Sequence, residues 1–347
     1  MLQRWRRYTA TAGCVAMIAG LSMLGEAAAH AGTPRHAAHL HVHTKSHTKA
    51  ASGSALSSHV AFGAFASGFA GPGSQISQLE TELGAHLTIA SSFQGFGDVF
   101  PDAPEKAQAA SGHTLLVSWD LGSTAATRFT TFTDGSQDAY LSQVAAAVAA
   151  FGQPIYIRPW PEMNADWSPF QPTASGAQPA GGTPKQFIAA WRYLVTFFRS
   201  HGATNARWVF NPTTDTYAET TDVRTIFPGA AYVDVLGLDG YNWGDGGVLQ
   251  WESFQSIYQV QYQRLVGLDP GAPIWVCEFA SKEPAENDGA AIDPTHTKAD
   301  WYRALFASTA FPAIKALVLF DTNKERDWRV GSDSASLAVV SAAVRAA

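Results

Sequence analysis

Cysteine is nearly absent from the sequence, whose 347 residues include only Cys14 and Cys277. Cys14 lies in an N-terminal segment that we expect to be removed, so Cys277 has no partner for an internal disulfide. The apolar run 273–277 predicts that Cys277 is a small buried side chain and not a reactive nucleophile. A fold held together by disulfides is therefore excluded.

Charged residues are also scarce, at 15% of the chain. Of the 23 basic and 29 acidic residues, six and one precede His59, which leaves 17 and 28 and a net charge of −11 for the remainder. A surface of this sign repels phosphate groups, so nucleic acid and anionic membranes are excluded as partners.

Long apolar runs are missing as well. The run 14–24 is shorter than the roughly 20 residues that a membrane-spanning helix needs. Because Arg4, Arg6 and Arg7 precede it and the small-x-small site 29–31 follows it, we predict a secretory signal over residues 1–31. The predicted location is extracellular or in the cell envelope, without membrane association after cleavage; an uncleaved single-span anchor is the alternative.

Residues 32–58 are rich in Ala, His, Ser, Thr and Lys and have no apolar period, which predicts a disordered linker. Five histidines in it, at positions 36, 39, 41, 43 and 47, are weak metal ligands at best. Since no cysteine or carboxylate completes a site there, we predict a solvated tether and no metal.

Eight short apolar runs alternate with segments of helical period from residue 59 to the end, which predicts a single α/β domain, a (β/α)8 TIM barrel over 59–347. The runs are 60–65, 87–91, 115–119, 155–158, 207–210, 233–238, 274–277 and 316–320. The helical segments include 75–83, 139–150, 184–200, 251–265, 298–307 and 334–347. An open doubly wound sheet is the runner-up, but Phe65, Phe69 and Pro72 interrupt the glycines after the first run.

Polar and aromatic residues collect where the predicted strands end, the face on which barrel enzymes place their active sites. Indoles that stack on sugar rings, together with amides and an arginine that bond hydroxyls, suit an uncharged carbohydrate polymer. The predicted substrate-binding residues are Trp119, Asp120, Arg158, Trp160, Asn164, Trp167, Asn211, Asp239, Tyr241, Trp243 and Trp328.

Two carboxylates are predicted to be catalytic. Glu162 and Glu278 follow the fourth and seventh strands, on opposite sides of the barrel mouth. Side chains that reach across the mouth can bring their carboxyl groups to about 5–5.5 Å, the separation used in retaining glycoside hydrolysis. The alternative for Glu278 is a buried carboxylate paired with an arginine of the barrel.

The segment 158–167, Arg-Pro-Trp-Pro-Glu-Met-Asn-Ala-Asp-Trp, resembles the acid/base loop of glycoside hydrolase family 26. Segments 205–212, 232–244, 273–278, 320–321 and 327–329 also resemble that family, in the same order along the chain. The resemblance implies a retaining (β/α)8 glycosidase that needs no cofactor. The family is best known for endo-β-1,4-mannanases and also includes β-1,3-1,4-glucanases and β-1,3-xylanases.

The resemblance also implies roles for single residues. Glu162 would be the general acid/base, Glu278 the nucleophile and Tyr241 the residue that bonds the nucleophile. Arg158 would lie beneath the site, and the two sugar platforms would be Trp167 and Trp243.

One position departs from the family pattern, since Pro161 stands where the family usually has a histidine. Because the residue before a proline favours extended geometry, we expect Trp160 to be held outward over the cleft, where it could stack on sugar. The predicted function is a monomeric, secreted endo-β-glycanase acting on β-1,4-mannan, with mixed-linkage β-glucan second. A non-catalytic carbohydrate-binding barrel is the alternative from another class.

Overall fold

Eight parallel strands close into a barrel in which each strand pairs with its neighbours in sequence and the first pairs with the last. The computed structural model describes residues 55–66, 75–122, 127–176, 181–244, 251–283 and 296–347. The strands are β1 (Ala61–Ala66), β2 (Ile89–Gly95), β3 (Thr114–Asp120), β4 (Ile155–Pro159), β5 (Ala206–Phe210), β6 (Val235–Asn242), β7 (Ile274–Ser281) and β8 (Ile314–Asp321). Each of the eight predicted runs overlaps one strand, and the predicted TIM barrel is confirmed.

Helices on the outside of the barrel cover the strands, which are buried on both faces and are therefore apolar without alternation. They are α1 (Gln75–Leu83), α2 (Ala103–Ala110), α3 (Phe129–Thr133), α4 (Asp138–Phe151), α5 (Pro184–Ser200), α6 (Phe254–Leu268), α7 (Lys298–Ala307) and α8 (Ser334–Ala346). The apolar period did not predict α2 or α3. The start of α2 is nevertheless marked by a reciprocal cap between Asp102 and Glu105.

The helix that follows the β4 loop has strong start signals in its sequence. Thr183 accepts a hydrogen bond from Gln186 N, the Gln186 side chain bonds Thr183 N in return, and Pro184 occupies the first turn. The inward face of α5 then buries Phe187, Trp191 and other apolar side chains against the barrel. This packing fixes the far end of the loop that carries Glu162.

The packed domain begins before the boundary predicted at residue 59. Leu56 is buried, it starts the short 3-10 helix Leu56–Ser58, and its backbone N–H donates to Ser308 O at 2.8 Å. The prediction of disorder is therefore wrong for residues 55–58. The predicted signal and the rest of the predicted linker lie outside the described residues. Within the described ranges, no helix has both the length and the apolar character needed to cross a membrane.

Candidate active site

The loop after β4 has an unusual backbone. Trp160 and Glu162 have φ angles of 49° and 56°, a left-handed conformation that side chains with a Cβ rarely adopt. Two backbone hydrogen bonds hold the loop, since Trp160 N donates to Trp119 O at 3.0 Å and Glu162 N to Asn211 O at 2.8 Å. Neighbouring strands β3 and β5 thus fix the direction in which Glu162 points. Strained backbone held in this way is common at functional sites.

The prediction that Trp160 lies outward over the cleft is wrong. Its side chain is fully buried and packs against the rings of Phe129, Phe132 and Phe187, at centroid distances of 5.5, 5.3 and 5.6 Å. The expectation assumed extended geometry before Pro161, whereas the left-handed φ turns the indole inward beneath the loop. Trp160 is therefore a core residue that supports the turn.

Glu278 lies in the second half of β7, and each of its carboxylate oxygens accepts a hydrogen bond. Arg158 Nη2 donates to its Oε1, and the Tyr241 hydroxyl donates to its Oε2. Tyr241 is therefore in contact with this carboxylate, as expected, and the pairing of Glu278 with a barrel arginine, which was the alternative interpretation, is also present. These two hydrogen bonds fix the direction of the carboxylate oxygens of Glu278.

Arg158 lies beneath the site with no exposed surface, so its predicted direct contact with substrate is replaced by contacts with other residues. Its Nε donates to Ser118 Oγ at 2.7 Å and its Nη1 to Asp239 Oδ2 at 2.8 Å. Burial alone lowers the pKa of Arg158, but the carboxylates of Glu278 and Asp239 outweigh burial and raise it. The guanidinium is thus a fixed positive charge that orients Glu278.

Asp239 and Asn211 form a second layer below Arg158. Both are fully buried, and Asn211 Nδ2 donates to Asp239 Oδ2 at 2.7 Å. Gly237 makes room for them, because a Cβ there would lie 2.2 Å from Asn211 Oδ1. The prediction that Asn211 and Asp239 bind substrate is wrong, since neither side chain is accessible. They position the guanidinium of Arg158.

The carboxyl group of Glu162 is suited to carry a proton. Burial raises its pKa well above the usual value, the charges of Asp239 and Glu278 raise it further, and Arg158 opposes them. Burial also raises the pKa of Asp239, which Arg158 counteracts. A glutamate with a raised pKa, beside a second glutamate that is held by two hydrogen bonds, suits the division of roles that acid-assisted displacement requires.

Three other predicted substrate-binding residues are structural, because each is buried. Trp119 packs against Phe100 and donates to Tyr140 OH at 3.1 Å. Asn164 bonds both the N–H and the carbonyl of Thr213, at 2.8 and 3.2 Å, which ties the β4 and β5 loops together. Trp328 packs against Tyr241 and Trp243 and supports both from below.

Four of the predicted residues remain at the accessible surface of the strand ends, and all four are half-buried: Asp120, Trp167, Tyr241 and Trp243. Asp120 Oδ1 accepts from Gly122 N at 2.8 Å, and burial raises the pKa of this carboxyl. Trp167 Nε1 donates to Asp215 Oδ2 at 3.4 Å. Arg326 lies over the Trp243 ring at 5.8 Å.

Sequence reasoning missed three residues of this face. Phe93, 38% exposed, places its ring 5.4 Å from the Arg158 guanidinium carbon, but the predicted second strand stopped at residue 91. Lys324 follows β8, and although burial lowers its pKa, acidic neighbours including Glu278 and Glu162 oppose that shift. The Asp215 charge contributes to the raised pKa of Glu162. Listing all polar and aromatic residues just beyond each strand end would have found all three.

We expect Trp167→Ala to weaken polysaccharide binding by roughly 1–3 kcal/mol, because a half-buried indole at the site contributes apolar contact area to a sugar ring. Binding is measured by calorimetry with an oligosaccharide of the preferred polymer in an inactive Glu278→Ala background. Trp167→Phe is the matched control and should retain most of the affinity. Equal affinities for Trp167→Ala and the parent would mean that the indole does not contact substrate.

A closed (β/α)8 barrel with two neighbouring glutamates at its strand-end face, one of them with a raised pKa, is typical of glycoside hydrolases. The comparisons with known proteins agree, since residues 100–269 match the model of glycosyl hydrolase family 26. The chain belongs to this family.

Two curated relatives and one solved structure illustrate the likeness. Endoglucanase H of Acetivibrio thermocellus is 33% identical over 281 residues, which are 79% of this chain and 29% of that protein. Mannan endo-1,4-beta-mannosidase A and B of Caldalkalibacillus mannanilyticus is 31% identical over 145 residues, 41% of this chain and 24% of that protein. A Cellulomonas fimi endo-beta-1,4-mannanase double mutant shares the fold, with a TM-score of 0.58 and 17% identity over 83% of this chain and 71% of that one. The chain thus spans less than a third of the length of either curated relative.

Proposed function

We propose that the protein is a retaining endo-β-glycanase that hydrolyses a neutral β-linked hexose polymer. The observation that carries this proposal is the asymmetry of the two glutamates. Glu278 is fixed by Arg158 and Tyr241, whereas burial and neighbouring charge raise the pKa of Glu162. One carboxylate is thus prepared to attack and the other to donate a proton.

The proposed reaction proceeds in two displacements. Glu278 attacks the anomeric carbon while the proton of Glu162 moves to the leaving oxygen, so one C–O bond breaks as another forms. Glu162, now ionised, removes a proton from water, and the water oxygen displaces Glu278 from the sugar. Two inversions at the same carbon give net retention of the β configuration.

Two polymers are candidates, and different observations support them. The resemblance of the strand-end motifs to mannanases, and the relative named a mannosidase, support β-1,4-mannan. The relative named an endoglucanase supports β-glucan over a longer alignment, 281 residues against 145. Pro161, which removes a donor beside the acid/base, also favours a polymer other than mannan.

We further infer that the protein acts outside the cell, because the N-terminal charge and apolar pattern is that of an export signal. An exported enzyme meets polymers that are too large to enter a cell. The half-buried aromatic residues at the strand ends are of the kind that such a chain would stack on.

Reducing-sugar release from mannan, galactomannan, lichenan, xylan and cellulose tests the proposed function, with Glu278→Ala as the inactive control. We expect release from lichenan or mannan and a rapid fall in viscosity, since endo cleavage shortens chains from within. Proton NMR of the first product should show the β anomer. No release from any of the five polymers, with binding intact, would identify a non-catalytic carbohydrate-binding barrel.

A further inference from the structure

We propose that Glu80, His86 and His113 bind a divalent transition-metal ion of the Zn²⁺ type, at the end of the barrel opposite the two catalytic glutamates. Glu80 belongs to α1, His86 lies between α1 and β2, and His113 immediately precedes β3. One potential ligand atom from each of the three residues lies within 4.8 Å of the others.

The hydrogen bonds of His113 leave a lone pair directed at a carboxylate. Its Nδ1 lies 3.0 Å from Gln108 O, and because a carbonyl oxygen only accepts, Nδ1 carries the hydrogen. In the neutral imidazole Nε2 is then an acceptor, yet it lies 3.0 Å from Glu80 Oε1, which is also an acceptor. A hydrogen on Nε2, or a cation shared by Nε2 and Oε1, can occupy this contact.

A metal ion would account for the convergence of two imidazoles on one carboxylate. Glu80 Oε1 lies 2.7 Å from His86 Nδ1 and 3.0 Å from His113 Nε2, and it also accepts from Leu87 N at 2.7 Å. The two rings lie 4.6 Å apart. Two imidazoles and one carboxylate with a position left for water form a common Zn²⁺ donor set. The bond from His113 to a backbone carbonyl is the contact that orients metal-binding histidines.

The site can adjust to the bond lengths of a metal. Zn²⁺ binds N and O at about 2.0–2.2 Å, so tetrahedral ligand atoms lie roughly 3.3–3.5 Å apart, about half an ångström more than the two contacts to Glu80. The His86 side chain is 53% exposed and can move by that amount. His113 is nearly inaccessible and would serve as the fixed ligand.

The expected effect is on stability, because the amino-terminal face of a barrel does not carry its chemistry. A metal there would join the end of α1 to the start of β3 and bind the folded state alone. At a hundredfold excess over Kd such a ligand should raise the Tm by roughly 5–10 °C for a domain of this size.

The test uses the full chain with the five N-terminal histidines, at positions 36, 39, 41, 43 and 47, changed to serine, because they are competing ligands. After EDTA treatment, Tm is measured against Zn²⁺ concentration for this background, for added His86→Gln and for the control His201→Gln. Titration with Co²⁺, followed by visible absorption, reports directly on ligand geometry.

We expect the background and His201→Gln to gain Tm with Zn²⁺ and to give an intense tetrahedral Co²⁺ spectrum. His86→Gln, which changes an exposed side chain, should keep the metal-free Tm and lose both responses. The proposal is overturned if Zn²⁺ leaves the Tm of the background unchanged, which would identify a proton-held cluster. It is equally overturned if His86→Gln responds as the background does.

Discussion

Glu278→Ala is expected to lower kcat on the preferred polymer by at least ~10³-fold, because no other group can form the covalent intermediate. The two donors that now contact Glu278, from Arg158 and Tyr241, remain in the variant and surround the vacated space. Azide or formate should therefore enter that space and partly restore turnover of an aryl glycoside with an activated leaving group. With azide, the product should be a glycosyl azide of inverted configuration.

The matched control for Glu278→Ala is Glu82→Ala, which removes an exposed carboxylate on α1. It should leave kcat unchanged. Near-normal activity of Glu278→Ala would mean that another residue is the nucleophile. The same conclusion would follow if azide restored turnover but the only product were the sugar formed by attack of water.

Glu162→Gln should also lose at least ~10³-fold on natural polymers, because the leaving oxygen no longer receives a proton. A dinitrophenyl glycoside leaves without that help, so its first step should survive. Since water then lacks its base, the glycosyl-enzyme on Glu278 should accumulate and be visible by intact mass spectrometry. Equal losses on both substrates would contradict the assignment of Glu162 as the acid/base.

The pH profile offers an independent check on Glu162. The proposed first displacement requires its protonated form, and burial and like charge raise its pKa in the folded protein. Wild-type kcat/KM should therefore remain high above the usual glutamate range and fall as the pH rises through the shifted pKa. This alkaline limb should be missing from the residual dinitrophenyl glycoside activity of Glu162→Gln.

The barrel could be predicted because its strands are short and apolar and its helices begin at clear signals, as at Thr183 and Pro184. The bounds of α1, α5 and α7 follow directly from such patterns. The short helix α3 could not be predicted in this way, since its five residues contain three threonines. Its position depends on packing of Phe129 and Phe132 around Trp160.

The structure brings Glu162, Glu278 and Tyr241 together at one end of the barrel, but it buries several other candidate residues more deeply than the sequence analysis expected. The strand-end rule identifies Glu162, Glu278 and Tyr241 because it depends only on where strands stop. Whether a side chain at a strand end faces substrate or core depends on backbone angles that pattern does not encode. Trp160 is the clearest case, because a proline after it predicted one geometry and tertiary contacts imposed the opposite one.

The crowding of Glu162, Asp239 and Glu278 around the single guanidinium of Arg158 has a consequence for heat resistance. Because burial and like charge raise the pKa of Glu162 in the folded state, folding takes up a proton there, and stability declines as pH rises from the unfolded value of that pKa through the folded one. Replacing Glu162 by glutamine, which does not ionise, would remove this pH-dependent loss of stability. Selection of this chain for thermal tolerance alone would therefore favour variants that survive heating but lack the proposed acid/base group.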